Sequence, residues 1–260
     1  MNQKDLAGVN HWDSIYETSA APPKAWKPHS HLELALEHVL LREIKRSRAT
    51  SLLEVGCGNS TWLPYLARKA GIEVAGMDYS EHGCEQARTN LRSEDVPGKI
   101  FCIDLFKATP ECIGQYDFVF SLGLVEHFND LPGVLAKLAE FVRPGGTLFT
   151  EVPNLHWSIH GLLCWIWQPK LLAKHRLLNK TQLVKAHEQV GLLKVRAQYL
   201  GLFSLGIIAW PIYHRWPRLC SKLLPHMIFF QKRIDRLMRR SNIYVGIQPL
   251  APYLCVIGNK

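Results

Sequence analysis

The feature that most constrains this chain is a regular alternation running from residue 51 to residue 153. Short apolar runs that stop at Gly, Asp or Pro alternate with amphipathic stretches of about ten residues. Residues 51–56 (SLLEVG) read as a buried strand closed by glycine. Residues 61–70 have helical spacing, with Trp62, Leu63 and Leu66 on one side and Gly71 as the stop. Residues 72–78 (IEVAGMD) form the next strand, and 80–91 the next helix, with Ser80 as its N-cap. Residues 99–104 and 116–122 read as strands three and four. A helix over 131–142 is stopped by Arg143-Pro144-Gly145-Gly146, and 147–153 is strand five. Later, 180–191 reads as a helix and 193–201 as strand six. Such alternation predicts an α/β fold with a doubly wound, mostly parallel sheet.

In such sheets ligands bind beyond the carboxyl ends of the strands. The loops there carry Gly56-Cys57-Gly58-Asn59-Ser60, Asp78-Tyr79, Asp104-Leu105 and Leu122-Gly123-Leu124. Glycines at 56 and 58 let the backbone take positive φ and approach a ligand closely. A dinucleotide fingerprint needs a third glycine at position 61, where this chain has Thr, so a nicotinamide oxidoreductase is disfavoured. Asp78 lies 22 residues after Gly56, where a carboxylate accepts ribose hydroxyls. Asp104 ends the third expected strand, where it or the adjacent backbone can meet an adenine edge. An acid at Glu54, beside the glycines, disfavours a pyrophosphate and tolerates a sulfonium or ammonium cation.

These segments resemble the motifs of class I methyltransferases that use S-adenosylmethionine. LLEVGCGNS resembles their first cofactor motif, VAGMDYS the second, and FCIDLF the third. YDFVFSLGLVEHF and VRPGGTLFTEVPN are similar to the fourth and fifth. HWDSIY resembles the segment that covers the methionine end of the cofactor, and APYLCVIGNK the final antiparallel strand. The likeness is to the branch that contains small-molecule and quinone-precursor methyltransferases. It implies a seven-stranded Rossmann-like sheet and S-adenosylmethionine as cofactor, with S-adenosylhomocysteine as product. By matching position, Gly56 and Gly58, with Cys57 packed between them, would line the methionine moiety, and Glu54 would hold its amino group or a water. Asp78, with Tyr79 beside it, would bind the ribose. Asp104 and the Leu105 backbone would meet adenine. Ser121 and Leu122 would lie under the sulfur, and Trp12 and Tyr16 would form a lid.

The methyl of a sulfonium is already activated, so alignment supplies much of the rate. A hydroxyl acceptor also gains from a base. His127, in Leu124-Val125-Glu126-His127-Phe128, follows strand four and titrates near working pH. Glu126 and His127 are therefore the catalytic candidates. Three further readings stay open: contact with the substrate, capping of the following helix, and metal binding. In quinone-precursor and small-RNA 2′-O-methyltransferases a Glu-x-x-Glu-His segment binds a divalent metal. Here the first of those positions is Gly123, so no metal is expected. No Asn-Pro-Pro-Tyr or Asp-Pro-Pro-Tyr follows strand four, which argues against an adenine or glutamine amide target. No Pro-Cys occurs, which argues against a cysteine route to cytosine C5.

Charge divides the chain. Residues 1–154 hold 15 Lys/Arg against 20 Asp/Glu, a net of −5; residues 155–260 hold 16 against Glu188 and Asp235, a net of +14. The C-terminal part is thus expected to meet something anionic, or to present a solvated basic face. Its apolar segments hold Trp157, Trp165 and Trp167, then residues 202–213 (LFSLGIIAWPIY). The uncharged run 197–213, between Arg196 and Arg215, is too short to span a bilayer. These segments are expected to form a helical cap over the substrate pocket. Arg215, Arg218, Lys222, Lys232, Arg233, Arg236, Arg239 and Arg240 beside them look like an interfacial surface. The seven cysteines include no CxxC pair, which suits a reducing cytosol and disfavours a zinc knuckle. The start MNQKDLAGVNHWD shows no apolar core of a secretory signal.

The expected organisation is a helical lid over 1–48, a cofactor-binding core over 49–154, helical insertions with one core helix and strand six over 155–250, and a final strand over 251–260. The expected function is methyl transfer from S-adenosylmethionine to O, or N, of a small, lipophilic or carrier-bound metabolite. The setting is cytoplasmic, with peripheral contact to an anionic membrane or an acidic carrier protein. The rivals are an RNA methyltransferase, for which the basic half speaks, and a cofactor-binding protein without catalysis.

Overall fold

Among the described residues, seven strands form one sheet, in which the strands numbered along the chain stand in the order third, second, first, fourth, fifth, seventh, sixth. The computed structural model describes residues 5–18, 25–202, 216–241, 244 and 246–260. Residues 203–213 and Arg215 of the apolar and basic segments, and the side chains of Arg239 and Arg240, lie outside them.

The strands are β1 (Ser51–Val55), β2 (Glu73–Asp78), β3 (Gly98–Cys102), β4 (Tyr116–Leu122), β5 (Val142–Pro153), β6 (Leu193–Leu200) and β7 (Tyr253–Asn259). Strands β1 to β5 pair in parallel, and β7 runs antiparallel between β5 and β6. Strand order reverses between β1 and β4, which places a crevice at their carboxyl ends.

Alternation along the strands builds two cores. Leu53, Val119 and Leu148 face one side, with α6 (Leu131–Glu140) and α9 (Lys180–Gln189) packed on them. Leu52, Phe118, Phe120 and Phe149 face the other, under α2 (His31–Ser47), α3 (Trp62–Ala70) and α4 (Glu81–Ser93). Successive residues of a strand point to opposite faces, so apolar runs such as Leu52-Leu53 and Phe118-Val119-Phe120 feed both layers at once. Within the segment 1–48, α1 (Val9–Thr18) lies beside the crevice, whereas Val39, Leu40 and Ile44 put α2 in the core.

The helix ends follow the expected chemistry. The Ser80 side chain accepts from Gly83 N, Gly71 closes α3 at φ 66°, and Asn179 with Gln182 caps α9 reciprocally. Two boundaries differ from expectation. Strand β3 ends at Cys102, so Asp104 sits in the loop beyond it. Residues 143–146 do not merely stop a helix. They belong to β5, which begins at Val142 beside Tyr116 and shifts register before Phe118. Asp117 anchors that edge by accepting from Thr50, Ser51 and Arg143. Although partial burial opposes it, these bonds hold its carboxyl well below the usual range.

Between β5 and β7 lie α7 (Ile159–Trp167), the single turn α8 (Pro169–Leu172), the short α5 (Pro110–Ile113) having come earlier in the chain, and α10 (Pro217–Ser241). Helix α10 packs against α2, and none of its described residues lines the crevice; residues 203–213 of the expected cap lie outside the described residues. The contact is polar: His31 Nδ1 lies 2.6 Å from Asp235 Oδ1 in a buried pair.

Candidate active site

The loop after β1 turns back at once. Gly56 N and Cys57 N both donate to Met77 O, at 2.8 and 3.1 Å, and Gly56 and Gly58 take φ of 75° and 44°. A side chain at position 58 would run into the ring of Tyr16, so glycine there serves both conformation and space. Asp78, at the end of β2, holds the loop from the other side. Its Oδ2 accepts from Gly58 N and its Oδ1 from Ser80 N, both at 2.8 Å.

These loops enclose a cavity of about 790 Å³. Trp12, Tyr16, Gly56, Asp78, Tyr79, Asp104, Leu105, Leu122 and His127 line it. Glu54, Cys57, Gly58, Ser121 and Glu126 do not; they are set behind the wall, where all but Gly58 are buried side chains. The lining also includes Asp5, Asn10, Ile103, Phe106 and Phe128, which sequence reasoning missed. None of these carries a local signal, because each enters through the convergence of separate loops.

Helix α1 straps the opening. Asp5 accepts from Trp12 Nε1 at 3.0 Å and from the Tyr79 hydroxyl; Ser80 donates to Asp13; Gln86 donates to Tyr16 O. The Leu6 amide donates to His127 O, and the Trp12 ring meets the His127 ring edge-on at 5.2 Å. The lid residues are thus bound directly to the β2 loop and to the catalytic candidate.

His127 sits on a 3-10 turn, Val125–His127. Capping of the next helix falls to Asp130, whose side chain accepts from Gly133 N, so neither Glu126 nor His127 is the cap. Nδ1 of His127 lies 2.8 Å from Lys174 O. A carbonyl only accepts, so Nδ1 carries the proton and Nε2 keeps its lone pair. Burial, and then the neighbouring His175, push the imidazole down to about 4, so it is neutral near pH 7. The His175 ring is 4.5 Å from that of His127, and His11 lies 3.0 Å from Lys174 Nζ.

Burial moves the carboxyls the other way. Glu54 rises to about 8 through desolvation, against the bond it receives from Ser60 at 2.5 Å, and Glu126 also rises to about 8. Glu151 and Asp78 are raised for the same reason. Acids gathered under a cavity, where burial makes their charge costly, suit a ligand that brings its own positive charge. S-adenosylmethionine carries a sulfonium and an ammonium group, so the donor set fits it.

One oxygen of Glu126 and one ring nitrogen each of His127 and His175 lie within 4.8 Å of one another, a potential three-donor set. The set lacks an oxygen ligand at Gly123 and offers one carboxyl beside two imidazoles. That is a poor match for a hard divalent cation, which takes several oxygen ligands.

Comparison with known proteins agrees with this architecture. The family described as "Methyltransferase domain" matches residues 29–197. The chain is 29% identical over 152 residues to a ubiquinone biosynthesis O-methyltransferase of Bordetella avium, covering 58% of this chain and 62% of that one. It is 30% identical over 160 residues to a malonyl-[acyl-carrier protein] O-methyltransferase of Pseudescherichia vulneris, covering 59% and 61%. It therefore spans about three-fifths of the length of these relatives. A solved structure described as a putative sarcosine dimethylglycine methyltransferase, from Galdieria sulphuraria, superposes with TM-score 0.58 at 13% identity, over 96% of this chain and 98% of that one. That likeness concerns the fold. From its matched residues and its sheet order, this chain belongs to the methyltransferase-domain family of the seven-stranded α/β class.

Proposed function

We propose that the protein is an S-adenosylmethionine-dependent methyltransferase that acts on an oxygen, or a nitrogen, of a small, lipophilic or carrier-bound acceptor. The observation that carries this reading is a neutral His127 on the cavity wall, with its Nε2 lone pair unprotonated, in the same cavity as the Gly56 loop and Asp78. The family supports the reaction class, and the apolar lining from Ile103, Leu105, Phe106, Leu124 and Phe128 supports a lipophilic acceptor.

When bound, S-adenosylmethionine supplies an electrophilic methyl on sulfur. The chain's own groups do the rest. Gly56, Asp78 and Tyr79, with Asp104 and Leu105, would hold the nucleoside end, while Tyr16 and Trp12 would close over the methionine end and exclude water. Glu54, behind the glycine loop, would answer the charge of the ammonium. Nε2 of His127 takes the proton as the acceptor O–H breaks, and the Lys174 carbonyl holds Nδ1–H as the imidazole becomes cationic. Glu126 Oε1, 3.9 Å from Nε2, stands beside that charge. No metal enters this scheme, so turnover should survive a chelator.

The setting that suits the reading is the cytoplasm, with peripheral contact to an anionic membrane face or an acidic carrier protein. The described cysteines are all free thiols, as a reducing compartment keeps them.

The test is transfer of labelled methyl from S-adenosylmethionine into an extract divided into organic-soluble, aqueous, protein and RNA pools, with Asp78→Ala as control. Label in the organic pool that disappears in the control is the expected result. Asp78→Ala should weaken cofactor binding on the order of a hundredfold, because a charged, hydrogen-bonded anchor is lost. Label in RNA would move the protein to nucleic-acid methylation, for which the basic C-terminal third speaks. Cofactor binding with no label in any pool would leave a non-catalytic protein.

A further inference from the structure

We propose that α7 and α10 form a single docking surface for an anionic lipid bilayer, and that the protein lies on the membrane through it while working on a lipophilic acceptor. The proposal rests on the acceptor reading above and names the partner that reading requires.

The first observation is apolar area left in the open. On and just before α7, Trp157 is 82% exposed and Trp165 67%, with Leu162 and Ile166 exposed beside them. Trp157 also takes φ of 50°, a left-handed conformation that a bulky side chain adopts at a cost. On α10, Leu223, Phe230 and Leu237 recur at every seventh position and are all exposed. Trp167 at the end of α7 meets Trp216 at the start of α10, ring to ring at 6.0 Å, so the two exposed apolar segments touch at their ends. Single exposed leucines are ordinary on a soluble surface; a joined face of Trp, Leu, Ile and Phe marks an interaction site.

The second observation is the sign of the charge. The α10 sequence holds seven Lys/Arg and one acid, Asp235. That acid turns inward onto His31, while Lys222, Lys232, Arg233 and Arg236 are exposed. Arg233 lies over the Phe229 ring at 5.2 Å, a cation and an aromatic presented together. An amphipathic helix with cations along its polar face and Trp, Phe and Leu on the other lies in the headgroup plane of an anionic membrane. A nucleic-acid groove would instead set its aromatics apart as stacking platforms along a charged track. No helix among the described residues is long and apolar enough to cross a membrane.

The surface also reaches the cavity. From Trp167 the chain passes through α8 to Lys174 and His175, which touch His127. Docking of α7 thus lies one short segment from the wall that carries the base.

Flotation of the full chain tests this, using vesicles of phosphatidylcholine alone and of phosphatidylcholine mixed with phosphatidylglycerol. Cofactor affinity is measured by equilibrium dialysis on the same preparations. The chain should float with the mixed vesicles, much less with phosphatidylcholine alone, and be released by high salt. The double variant Lys222→Gln/Arg233→Gln should lower partition at least about tenfold, from the loss of two surface charges. Trp165→Ser/Ile166→Ser should lower it comparably with cofactor affinity unchanged. No flotation with cofactor binding intact overturns the docking surface and leaves the methyltransferase reading standing. Flotation undiminished in both double variants overturns the assignment to α7 and α10. Capture by immobilised acyl carrier protein without flotation replaces the lipid by an acidic protein. Flotation without cofactor binding upholds the surface and overturns the enzymatic reading.

Discussion

The cavity at the carboxyl ends of the strands and the face made by α7 and α10 treat charge in opposite ways. Around the cavity, Glu54 and Glu126 are buried and held protonated near pH 7, burial pushes Glu151 the same way, and His127 is buried and held neutral. Each is discharged because water is excluded and no fixed counter-ion is supplied. On the α7–α10 face the cations stay in solvent and the apolar side chains stay with them. The first region stores unfavourable desolvation that a charged ligand relieves. The second stores uncovered apolar area that an apolar partner relieves. The contrast teaches that the chain offers two unfinished surfaces of different chemistry, one for a cationic cofactor and one for an anionic, oily partner.

Function separates the two regions most sharply. His127→Gln should lower methyl transfer by about a hundred- to ten-thousandfold, the usual span for loss of a general base. Cofactor affinity measured alongside should hardly move. The wild-type pH profile sharpens the point. Burial depresses the imidazole to about 4, so the rate should stay level from neutral pH down through 6.5 and fall only as pH approaches that lower value. An acid limb centred at 6.5 would mean that His127 is not the base.

Stability separates them next. Phe149 is fully buried between the sheet and its helices, and Phe149→Ala should cost about 3–5 kcal/mol in denaturant unfolding. Trp165, though larger, is exposed, and Trp165→Ala should stay within about 0.5 kcal/mol. A large loss at Trp165 would show that α7 is covered by the protein itself and would weaken the contrast.

The last contrast is electrostatic. Burial lifts the Glu126 carboxyl from 4.5 to about 8 in the folded chain. Between those values the folded state holds a proton that the unfolded chain has released. The resulting stability is fully present below 4.5 and is lost as pH rises through 8. Glu126→Gln keeps the shape and removes the titration. It should leave the melting temperature nearly unchanged at about pH 5 and raise it at about pH 9. Equal shifts at both would assign the effect to packing.

Much of the sheet is legible in the residue pattern, because strand and helix periodicities are local. SLLEV, EVAGMD and YDFVFSL stand within a residue of where their apolar runs place them. The misses have tertiary causes. β5 starts at Val142 because Tyr116 and Asp117 offer it a partner edge, which the Arg-Pro-Gly-Gly turn signal conceals. β3 ends early because Asp104 turns its carboxylate onto Phe106 N. Gly56, Asp78 and His127, which their places after the strands and the family resemblance singled out, line one cavity. His175 and Asp5 were not singled out, since they arrive from 48 residues after and 122 residues before His127.

By itself, then, the sequence determined the layer order of the core, the glycine loop with its acids, the missing carboxylate at Gly123 and the division of charge between the two halves. These follow from periodicity, residue type and counting, all of which act over a few neighbours or none. Only the tertiary structure decided which acids are buried deeply enough to keep their protons, which nitrogen of His127 is bare, and that α10 docks on α2 through Asp235 and His31 with Lys222, Lys232, Arg233 and Arg236 facing outward. Those depend on contacts between residues as far as 204 positions apart. Desolvation and exposure are properties of the assembled surface, and no local pattern carries them.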